Sequence, residues 1–481
     1  MFIYITDIKT FKKETKMIHF WDSDVWSWVL LFAVLTGSLL VGNTLRRKIS
    51  ILRNSLIPTS VIGGAVLLIV AAIYKAITGD IMFDTAAFGG NGTQNLEIIT
   101  YHALALGFIA SSLKTSDKTV DKKRLTEIFD TGVTTVSTYL LQGVFGLTIT
   151  IVAALTVMPG FFKAAGIILP FGYGQGTGQA MNYGSIYEHL TDAAPFEGGT
   201  AFGLTIAALG FISSALGGVV HLNIRKKTGK LVKSQRTDGS NQIESVEVPG
   251  EIPMQESVDK MTIQISFIVV AYVIAYVIMY LLGKALPGMI ATIFGFNFLL
   301  GVVGATIVKG VVGLLRKSGL MKRQYINNFL MTRTSNFFFD LMVVAGVAAI
   351  RLDELKNYWG IVLILGIIGL VVTYVYLRIV CKKLFPDYEE EQFLMMYGML
   401  TGTASTGTIL LREVDGDFKT PAADNMVYQN FPAIVFGFPL MLLANMAPYK
   451  PELTLGILVA FFLVMNLILF RSFIFKKKVK K

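Results

Sequence analysis

Eleven apolar runs, each about as long as a lipid bilayer is thick, dominate this chain of 481 residues. A helix needs roughly 20 mostly apolar residues to cross the hydrocarbon core. The runs cover residues 26–45, 57–76, 96–113, 128–158, 200–220, 263–282, 288–308, 325–350, 358–380, 425–446 and 453–470. Only 16% of the residues are charged, whereas soluble domains carry about 25%. The pattern predicts an all-α polytopic membrane protein in a lipid bilayer.

The net charge of +11 could suit a nucleic-acid partner, but the distribution of the basic residues indicates none. Lysine and arginine cluster in short loops between the apolar runs, as they do in cytoplasmic loops. The clusters lie at residues 46–53, 114–124, 225–236, 316–323, 378–383 and 471–481. All of them fall on one side of the membrane. The N-terminus is therefore expected outside and the C-terminal tail in the cytoplasm.

A polar linker at residues 223–260 divides the chain nearly in half. It separates a transmembrane repeat at 26–222 from a second repeat at 261–447, with an N-terminal extension at 1–25 and an extra helix with a basic tail at 452–481. Each repeat contains five spans. Because five is odd, the second repeat enters the membrane upside down, as in the inverted-topology repeats of secondary transporters.

Residues 170–188, PFGYGQGTGQAMNYGSIYE, hold five glycines inside an otherwise apolar sequence. Alternate glycines make a poor helix, because each costs about 0.8–1 kcal/mol relative to alanine. Irregular backbone is tolerated at membrane depth only where protein or a wet cavity surrounds it. We predict a re-entrant hairpin that forms part of a solute or ion site. A Gly-rich external loop and small-residue packing of a spanning helix are the alternatives.

A second Gly/Thr-rich stretch, at residues 397–412, occupies the same place in its own half, after the fourth span and before the fifth. The two stretches share the spacing Gly-x₃-Gly-Thr. With the predicted orientation, one hairpin enters from outside and the other from inside. Their tips are expected to meet near the midplane, where such transporters bind solute. Thr177 and Ser405, at the two tips, are expected to be reachable from water.

FGYGQGTGQAMNYGSIYE together with YGMLTGTASTGTILLREVD resembles the bacterial sodium/glutamate symporters, which share a structural class with the 2-hydroxycarboxylate transporters. The resemblance covers most of residues 26–446. It implies two inverted domains of five spans, each with a re-entrant loop, and sodium-coupled glutamate uptake across a bacterial inner membrane by a homodimer. The second motif is Thr-rich where the familiar pattern has a Gly-Gly pair, and the run at 453–470 exceeds the ten-helix pattern. These departures leave the exact substrate open.

A glutamate site needs donors for two carboxylates and an acceptor for the ammonium group. Hairpin N–H groups and the N-terminus of a broken helix supply such donors. The substrate-binding candidates at the tips are Gly174, Gly176, Thr177, Gly178, Gly402, Thr403, Ser405 and Thr406. A fixed cation is also expected, because an arginine inside a membrane costs at least about 2.5 kcal/mol and is usually functional. Arg412 and Arg333 are the candidates, with pairing of Arg412 to Glu413 as the alternative for the former.

Sodium prefers oxygen ligands, which carbonyl, hydroxyl, amide and carboxylate groups provide. The candidates are Asp340, Thr408, Asn425 and Asn430. Asp340 lies seven residues after Arg333 and so shares its helix face. A purely structural polar pair is the equal alternative for these two residues.

Other classes of protein are disfavoured. One cysteine, Cys381, excludes an internal disulfide and a multi-cysteine metal site, and no cofactor is expected beyond sodium as the coupling ion. Neither hairpin carries the Asn-Pro-Ala tripeptide of aquaporins, and no motif of a membrane enzyme occurs, so we do not expect an enzyme. A sodium- or proton-coupled carrier of di- or tricarboxylates is the main alternative to a glutamate symporter.

Overall fold

A computed structural model describes residues 19–114, 121–228, 258–416 and 419–474. Within these ranges the regular secondary structure is helical and contains no β-strand. The α-helices are α1 (Ser23–Lys48), α2 (Ser50–Asn54), α3 (Thr59–Thr78), α4 (Gly92–Leu113), α5 (Lys122–Leu155), α6 (Ile168–Glu188), α7 (Gly199–Lys227), α8 (Lys260–Ala285), α9 (Ile290–Gly295), α10 (Asn297–Lys317), α11 (Asn328–Ala348), α12 (Trp359–Leu384), α13 (Glu389–Thr401), α14 (Ala404–Arg412), α15 (Ala422–Tyr428), α16 (Asn430–Met446), α17 (Pro451–Leu469) and α18 (Arg471–Ile474). Short 3-10 helices lie at Met82–Asp84, Ala86–Phe88, Lys163–Ile167, Pro287–Met289 and Pro386–Tyr388.

Nine of these described helices are long and apolar enough to cross a membrane, which confirms the multi-pass prediction. The predicted span at 425–446 is a bent pair, α15 and α16, which meet at 50° and together supply a tenth candidate. The predicted span at 325–350 corresponds to α11, which is 21 residues long but is not among the nine. Arg333, Asp340 and their polar neighbours lower its apolar character.

The helices form two groups. In the first group, which we call the α4/α11 group, α4 and α11 pack along each other at the centre, and α1, α3, α8 and α10 surround them. In the second, which we call the α5/α12 group, α5 and α12 pack together, and α6, α7, α13, α16 and α17 attach to one or both. Each group draws helices from both halves of the chain.

Helix contacts in the first half correspond to contacts in the second. Helix α1 packs on α3 as α8 packs on α10, and α3 packs on α11 as α10 packs on α4. Helix α5 contacts α6 as α12 contacts α13, and α12 contacts α7 as α5 contacts α16. These contacts define one correspondence between the two halves, in which each of these contacts is matched by a contact of the counterpart helices. The corresponding pairs are α1 and α8, α3 and α10, α4 and α11, α5 and α12, α6 and α13–α14, and α7 and α15–α16.

The first Gly-rich stretch is a helical hairpin, which we call hairpin 1 and which consists of α6. The backbone of Gly176 leaves the helical region, with φ 77° and ψ −168°. Phe171 and Tyr183 stack across the turn with ring centroids 4.0 Å apart, whereas twelve residues of straight helix would span about 18 Å. At the base, Phe162 and Tyr187 are 5.4 Å apart, so the chain enters and leaves at the same end.

Both arms of hairpin 1 are helical, although alternate glycines disfavour a helix. Tertiary packing overrides the propensity, because the glycines let backbones approach closely. A methyl group on Gly203 of α7 would overlap the carbonyl oxygen of Ala180, and one on Gly184 would overlap that of Gly199. The hairpin is therefore held tightly against α7.

The second Gly-rich stretch also folds back on itself and forms hairpin 2, which consists of α13 and α14. Gly402 and Thr403 leave the helical conformation between the two helices, and Thr403 is extended. Gly398 and Gly407 lie side by side where the arms cross. The hairpin begins at Glu389, eight residues before the predicted start at 397, because the first arm also includes an acidic first turn and the buried residues 392–396.

The remaining boundaries differ modestly from the predicted domains. Helix α7 continues to Lys227, past the predicted end of the first repeat at 222. Most of the predicted linker, residues 229–257, lies outside the described residues, as do residues 1–18 of the extension and residues 475–481 of the tail.

The extra helix α17 packs along α5. Ion pairs hold its two ends, because Glu452 contacts Lys163 at 2.7 Å and Arg471, just beyond it, contacts Asp130 at 2.6 Å.

Candidate functional site

The tips of the two hairpins touch. A Cβ atom on Gly176 would lie 3.2 Å from Cγ2 of Thr403 and 3.9 Å from the carbonyl oxygen of Gly402. Glycine is required at this position for two reasons, since its φ of 77° is rarely adopted by other residues and a side chain would press on the opposite tip. The meeting of the tips agrees with the expectation from the sequence.

A cavity of about 420 Å³ lies beside the two tips. The α4/α11 group contributes residues from α4, α10 and α11 to its wall, and the α5/α12 group contributes residues from α5, the two hairpins and α15–α16. The cavity therefore lies between the two groups of helices. Seven of the predicted site residues line it: Gly174, Arg333, Thr403, Ser405, Thr408, Arg412 and Asn430.

The other substrate candidates lie at the tips but do not line the cavity. Thr177 is fully buried and donates a hydrogen bond to the carbonyl oxygen of Met342 at 3.2 Å, so it is not reachable from water. Gly178 packs on Leu104. The Thr406 hydroxyl accepts from the backbone N–H of Thr403 at 3.0 Å and so fixes the turn after Gly402.

Two of the sodium candidates also lie away from the cavity. The Asp340 carboxylate faces the Ser60 hydroxyl of α3, on the side of α11 that packs against that helix. The Asn425 amide donates to the Tyr388 hydroxyl at 3.0 Å and to Gln392 at 3.1 Å, inside the base of hairpin 2. The shared helix face of Arg333 and Asp340 does not bring both to one site, because only the long Arg333 side chain reaches the cavity.

The charged side chains of the cavity wall are three cations and one carboxylate, namely Lys114, Arg333, Arg412 and Asp424. Arg333 belongs to the α4/α11 group and Arg412 to the α5/α12 group. Burial lowers the pKa of the Lys114 ammonium group at the end of α4. Helix α14 adds the partial positive charge of its N-terminus, at Ala404 and Ser405. The wall is thus suited to an anion.

Several buried amide oxygens around the tips have no hydrogen-bond partner among the described residues. Gln175 and Gln429, which both line the cavity, each leave one such oxygen. Gln142 donates to the carbonyl oxygen of Leu400 at 2.9 Å and leaves its own side-chain oxygen unpaired. A buried polar atom without a partner is costly, and oxygen atoms of this kind are ligands for hard cations.

Analysis of the sequence did not identify the side-chain oxygens of Gln175 and Gln142 as possible cation ligands. It also did not identify Tyr139 and Asp424 as residues of the cavity wall. Gln175 carries a recognisable signal, because it lies between two glycines at the tip of hairpin 1. The polar run of the fourth span, which includes Gln142, is more typical of helix packing than of ligand binding. Asp424 comes from the short helix α15, which the prediction of one straight span does not separate.

Charged residues close the opposite end of the molecule. Arg351 lies 2.6 Å from Glu354, 3.6 Å from Glu97 of α4 and 3.8 Å from Glu188 at the base of hairpin 1. Burial raises the pKa of Glu354, although the nearby Arg351 opposes the shift. Glu97 and Lys114 stand near opposite ends of α4, which places this cluster roughly 25 Å from the mouth of the cavity. The cluster joins the two groups of helices on the side away from the cavity.

No protein-family model matches the chain, and a search of curated proteins finds no match.

Proposed function

We propose that the protein is a secondary active transporter that couples sodium to the uptake of glutamate or a closely related acidic solute. The observation that carries the proposal is the cavity at the two hairpin tips, whose wall combines Arg333 and Arg412 from the two groups of helices. An anion held between these cations contacts both groups, so its binding is coupled to their relative position. The resemblance of the two hairpin motifs to sodium/glutamate symporters supports the choice of solute.

We further propose that the two halves are inverted-topology repeats and that the hairpins are re-entrant loops. The correspondence of helix contacts between the halves supports the repeat. The close approach of Phe162 to Tyr187 supports a loop that enters and leaves on one side. Because each half holds five spans, the second half is inverted relative to the first.

On this proposal the cavity opens toward the cytoplasm of a bacterial cell, since Lys114 at its mouth begins the basic loop at 114–124 and Arg333 lies near the start of α11, which follows the basic loop at 316–323. The N-terminus is outside, the tail is inside, and the protein forms a homodimer. The Arg351 cluster closes the outer side. Transport by alternating access then requires the cluster to part when the site opens outward.

Different residues of the site are proposed to bind the carboxylates, the ammonium group and the sodium ion. Arg412, Arg333 and the N-terminus of α14 hold the carboxylates, because a guanidinium group and free backbone N–H groups both donate to oxygen anions. Asp424 is the carboxylate of the cavity wall and is proposed to face the ammonium group. The unpaired oxygens of Gln175 and Gln429 are the sodium ligands that the tips offer, and Asp340 with Asn425 are proposed as further sodium ligands outside the cavity.

A carrier of di- or tricarboxylates is the second candidate. The wall holds three cations and one carboxylate, and this excess of cations favours a di- or tricarboxylate as the solute. Such a solute has no ammonium group and does not need Asp424.

Uptake of labelled glutamate into proteoliposomes tests the proposal. An inward sodium gradient is expected to drive accumulation, and a sodium-selective ionophore is expected to abolish it. Excess unlabelled malate or citrate should compete weakly with glutamate. Full accumulation driven by a proton gradient without sodium would contradict the coupling, and stronger competition by citrate than by glutamate would favour the second candidate.

A further inference from the structure

The wall of the cavity changes from polar to apolar with depth. Along α11 the lining residues run from Arg333 at the mouth to Met342, and along α16 they run from Asn430 to Met441. Helix α4 also changes from a polar residue at the mouth, Lys114, to an apolar residue deeper in the cavity, Phe108, although it runs in the opposite direction. Three helices from both groups therefore share one gradient, which makes the deep part of the cavity a separate apolar region.

We call this region the apolar wall, and it consists of Phe108, Phe298, Phe339, Met342, Phe438 and Met441. Three of its aromatic rings form a continuous surface, because Phe108 lies 5.1 Å from Phe298 and 5.4 Å edge-on from Phe339, between ring centroids. Met342 connects the wall to hairpin 1, since its Cε would lie 3.4 Å from a Cβ atom on Gly176.

Three hydroxyl groups near the wall already donate hydrogen bonds to backbone carbonyl oxygens. The Tyr139 hydroxyl donates to the carbonyl oxygen of Gly174 at 3.0 Å, and the Ser335 hydroxyl donates to that of Gly107 at 2.9 Å. Thr135 donates to the carbonyl oxygen of Thr131 at 3.1 Å. A polar group placed against the wall would gain little hydrogen bonding there and would lose its contacts with water.

Glutamate alone does not use this region. The cavity of about 420 Å³ equals about fourteen water volumes at roughly 30 Å³ each, whereas glutamate has only ten non-hydrogen atoms. With its carboxylates at Arg333, Arg412 and α14, the solute stays near the polar mouth. A substituent on its carbon chain can then extend to the apolar wall, which glutamate itself does not reach.

We propose that the cavity binds amino dicarboxylates that carry an apolar group on the carbon chain, and that it binds them more tightly than glutamate. This inference rests on the proposed function, because the charged groups of the ligand must occupy the same mouth. The apolar group replaces water against the wall, which is favourable in proportion to the apolar area removed from water.

Calorimetric titration of the protein in lipid nanodiscs tests the inference with three probes: L-glutamate, L-glutamate with a benzyl group on C4, and L-glutamate with a hydroxymethyl group on C4. All three keep both carboxylates and the ammonium group. The benzyl derivative is expected to bind about tenfold more tightly than glutamate, since burial of a phenyl group is worth at least one such factor. The hydroxymethyl derivative is expected to bind no better than glutamate.

The variant Phe438→Ala should remove the advantage of the benzyl derivative and leave glutamate affinity within about twofold of that of the unaltered protein, a change of under roughly 0.5 kcal/mol. The matched control is Phe337→Ala, because Phe337 is a 42% exposed phenylalanine of α11 that does not line the cavity. The Phe337→Ala variant should still bind the benzyl derivative about tenfold more tightly than glutamate.

Three results would overturn the inference. Equal binding of the benzyl and hydroxymethyl derivatives would do so without any variant, and so would an advantage that persists in Phe438→Ala. In both cases glutamate still binds, and the proposed function survives. Absence of binding by all three probes would instead overturn the proposed function, and the inference with it.

Discussion

The two hairpins meet at their tips but differ in what surrounds them. In α6, which makes up hairpin 1, 16 of 21 residues are buried, whereas in α14, the returning arm of hairpin 2, only 4 of 9 are. Hairpin 1 presents only Gly174 and Gln175 to the cavity, and hairpin 2 presents Thr403, Ser405, Thr408 and Arg412 among others.

This difference indicates a division of roles. Hairpin 1 is held by close backbone contacts with α7 and by buried tyrosines, such as Tyr187, whose hydroxyl donates to the carbonyl oxygen of Ala444 at 2.6 Å. It serves as a fixed support. The returning arm of hairpin 2 provides charged and hydroxyl groups that line the cavity. Similar sequences are thus used for packing in one half and, on the proposed function, for binding in the other.

The largest effect should come from the packing of hairpin 1. Gly203→Ala is expected to cost about 1–3 kcal/mol or more, because its methyl group would overlap the backbone carbonyl of Ala180. Gly37→Ala, in α1, is the matched control, since nothing lies within 4 Å of that position. Thermal unfolding in detergent, followed by fluorescence-detected size exclusion, measures both. Equal stability of the two variants would contradict the tight contact with α7.

A loss of binding without a loss of stability is expected in hairpin 2. Arg412→Ala should weaken glutamate binding by at least about tenfold, or 1.4 kcal/mol, because a guanidinium–carboxylate contact is removed. Arg412→Lys should have a smaller effect, since it keeps the charge but not the fork geometry. Arg316→Ala, at the end of α10 and outside the cavity wall, is the control. An unchanged KM for uptake in the alanine variant would assign Arg412 to a pair with Glu413.

The smallest effect concerns a group outside both hairpins. Asp340→Asn should raise the sodium concentration for half-maximal uptake a few-fold and leave the KM for glutamate nearly unchanged, because Asp340 contacts Ser60 and does not line the cavity. Uptake measured over a sodium series, at fixed and at varied glutamate, separates the two quantities. If sodium activation is the same in both proteins, Asp340 is structural.

Much of the fold is encoded in features that one sequence displays. Apolar length and loop charge predict the spans, and the two Gly-rich stretches predict the places where the chain folds back. The predictions fail where tertiary contacts decide. The helical arms of hairpin 1 depend on α7, and the break of the tenth span at Gln429 depends on contacts that periodicity does not reveal.

In the candidate site, too, some residues could be predicted from the sequence and others depend on tertiary contacts. Arg333 and Arg412 could be predicted because a charged group in a membrane segment is costly without a function, and Ser405 because it lies in a Gly/Thr-rich stretch that interrupts the apolar sequence. The burial of Thr177 and the position of Asp340 against α3 could not, since both depend on which neighbour each helix face meets. The aromatic residues of the apolar wall resemble ordinary core residues in the sequence and are recognised only from the cavity.

Cysteine labelling at the two tips tests the central claim most directly. Cys381 is the chain's only cysteine and is buried, so Cys381→Ser provides a cysteine-free background. In that background Ser405→Cys should react rapidly with a small hydrophilic thiol reagent, and glutamate with sodium should protect it, because Ser405 lines the cavity. Thr177→Cys should react far more slowly, since Thr177 is 0% exposed. Equal reactivity of the two positions, or labelling of Ser405→Cys that glutamate and sodium do not slow, would contradict the account.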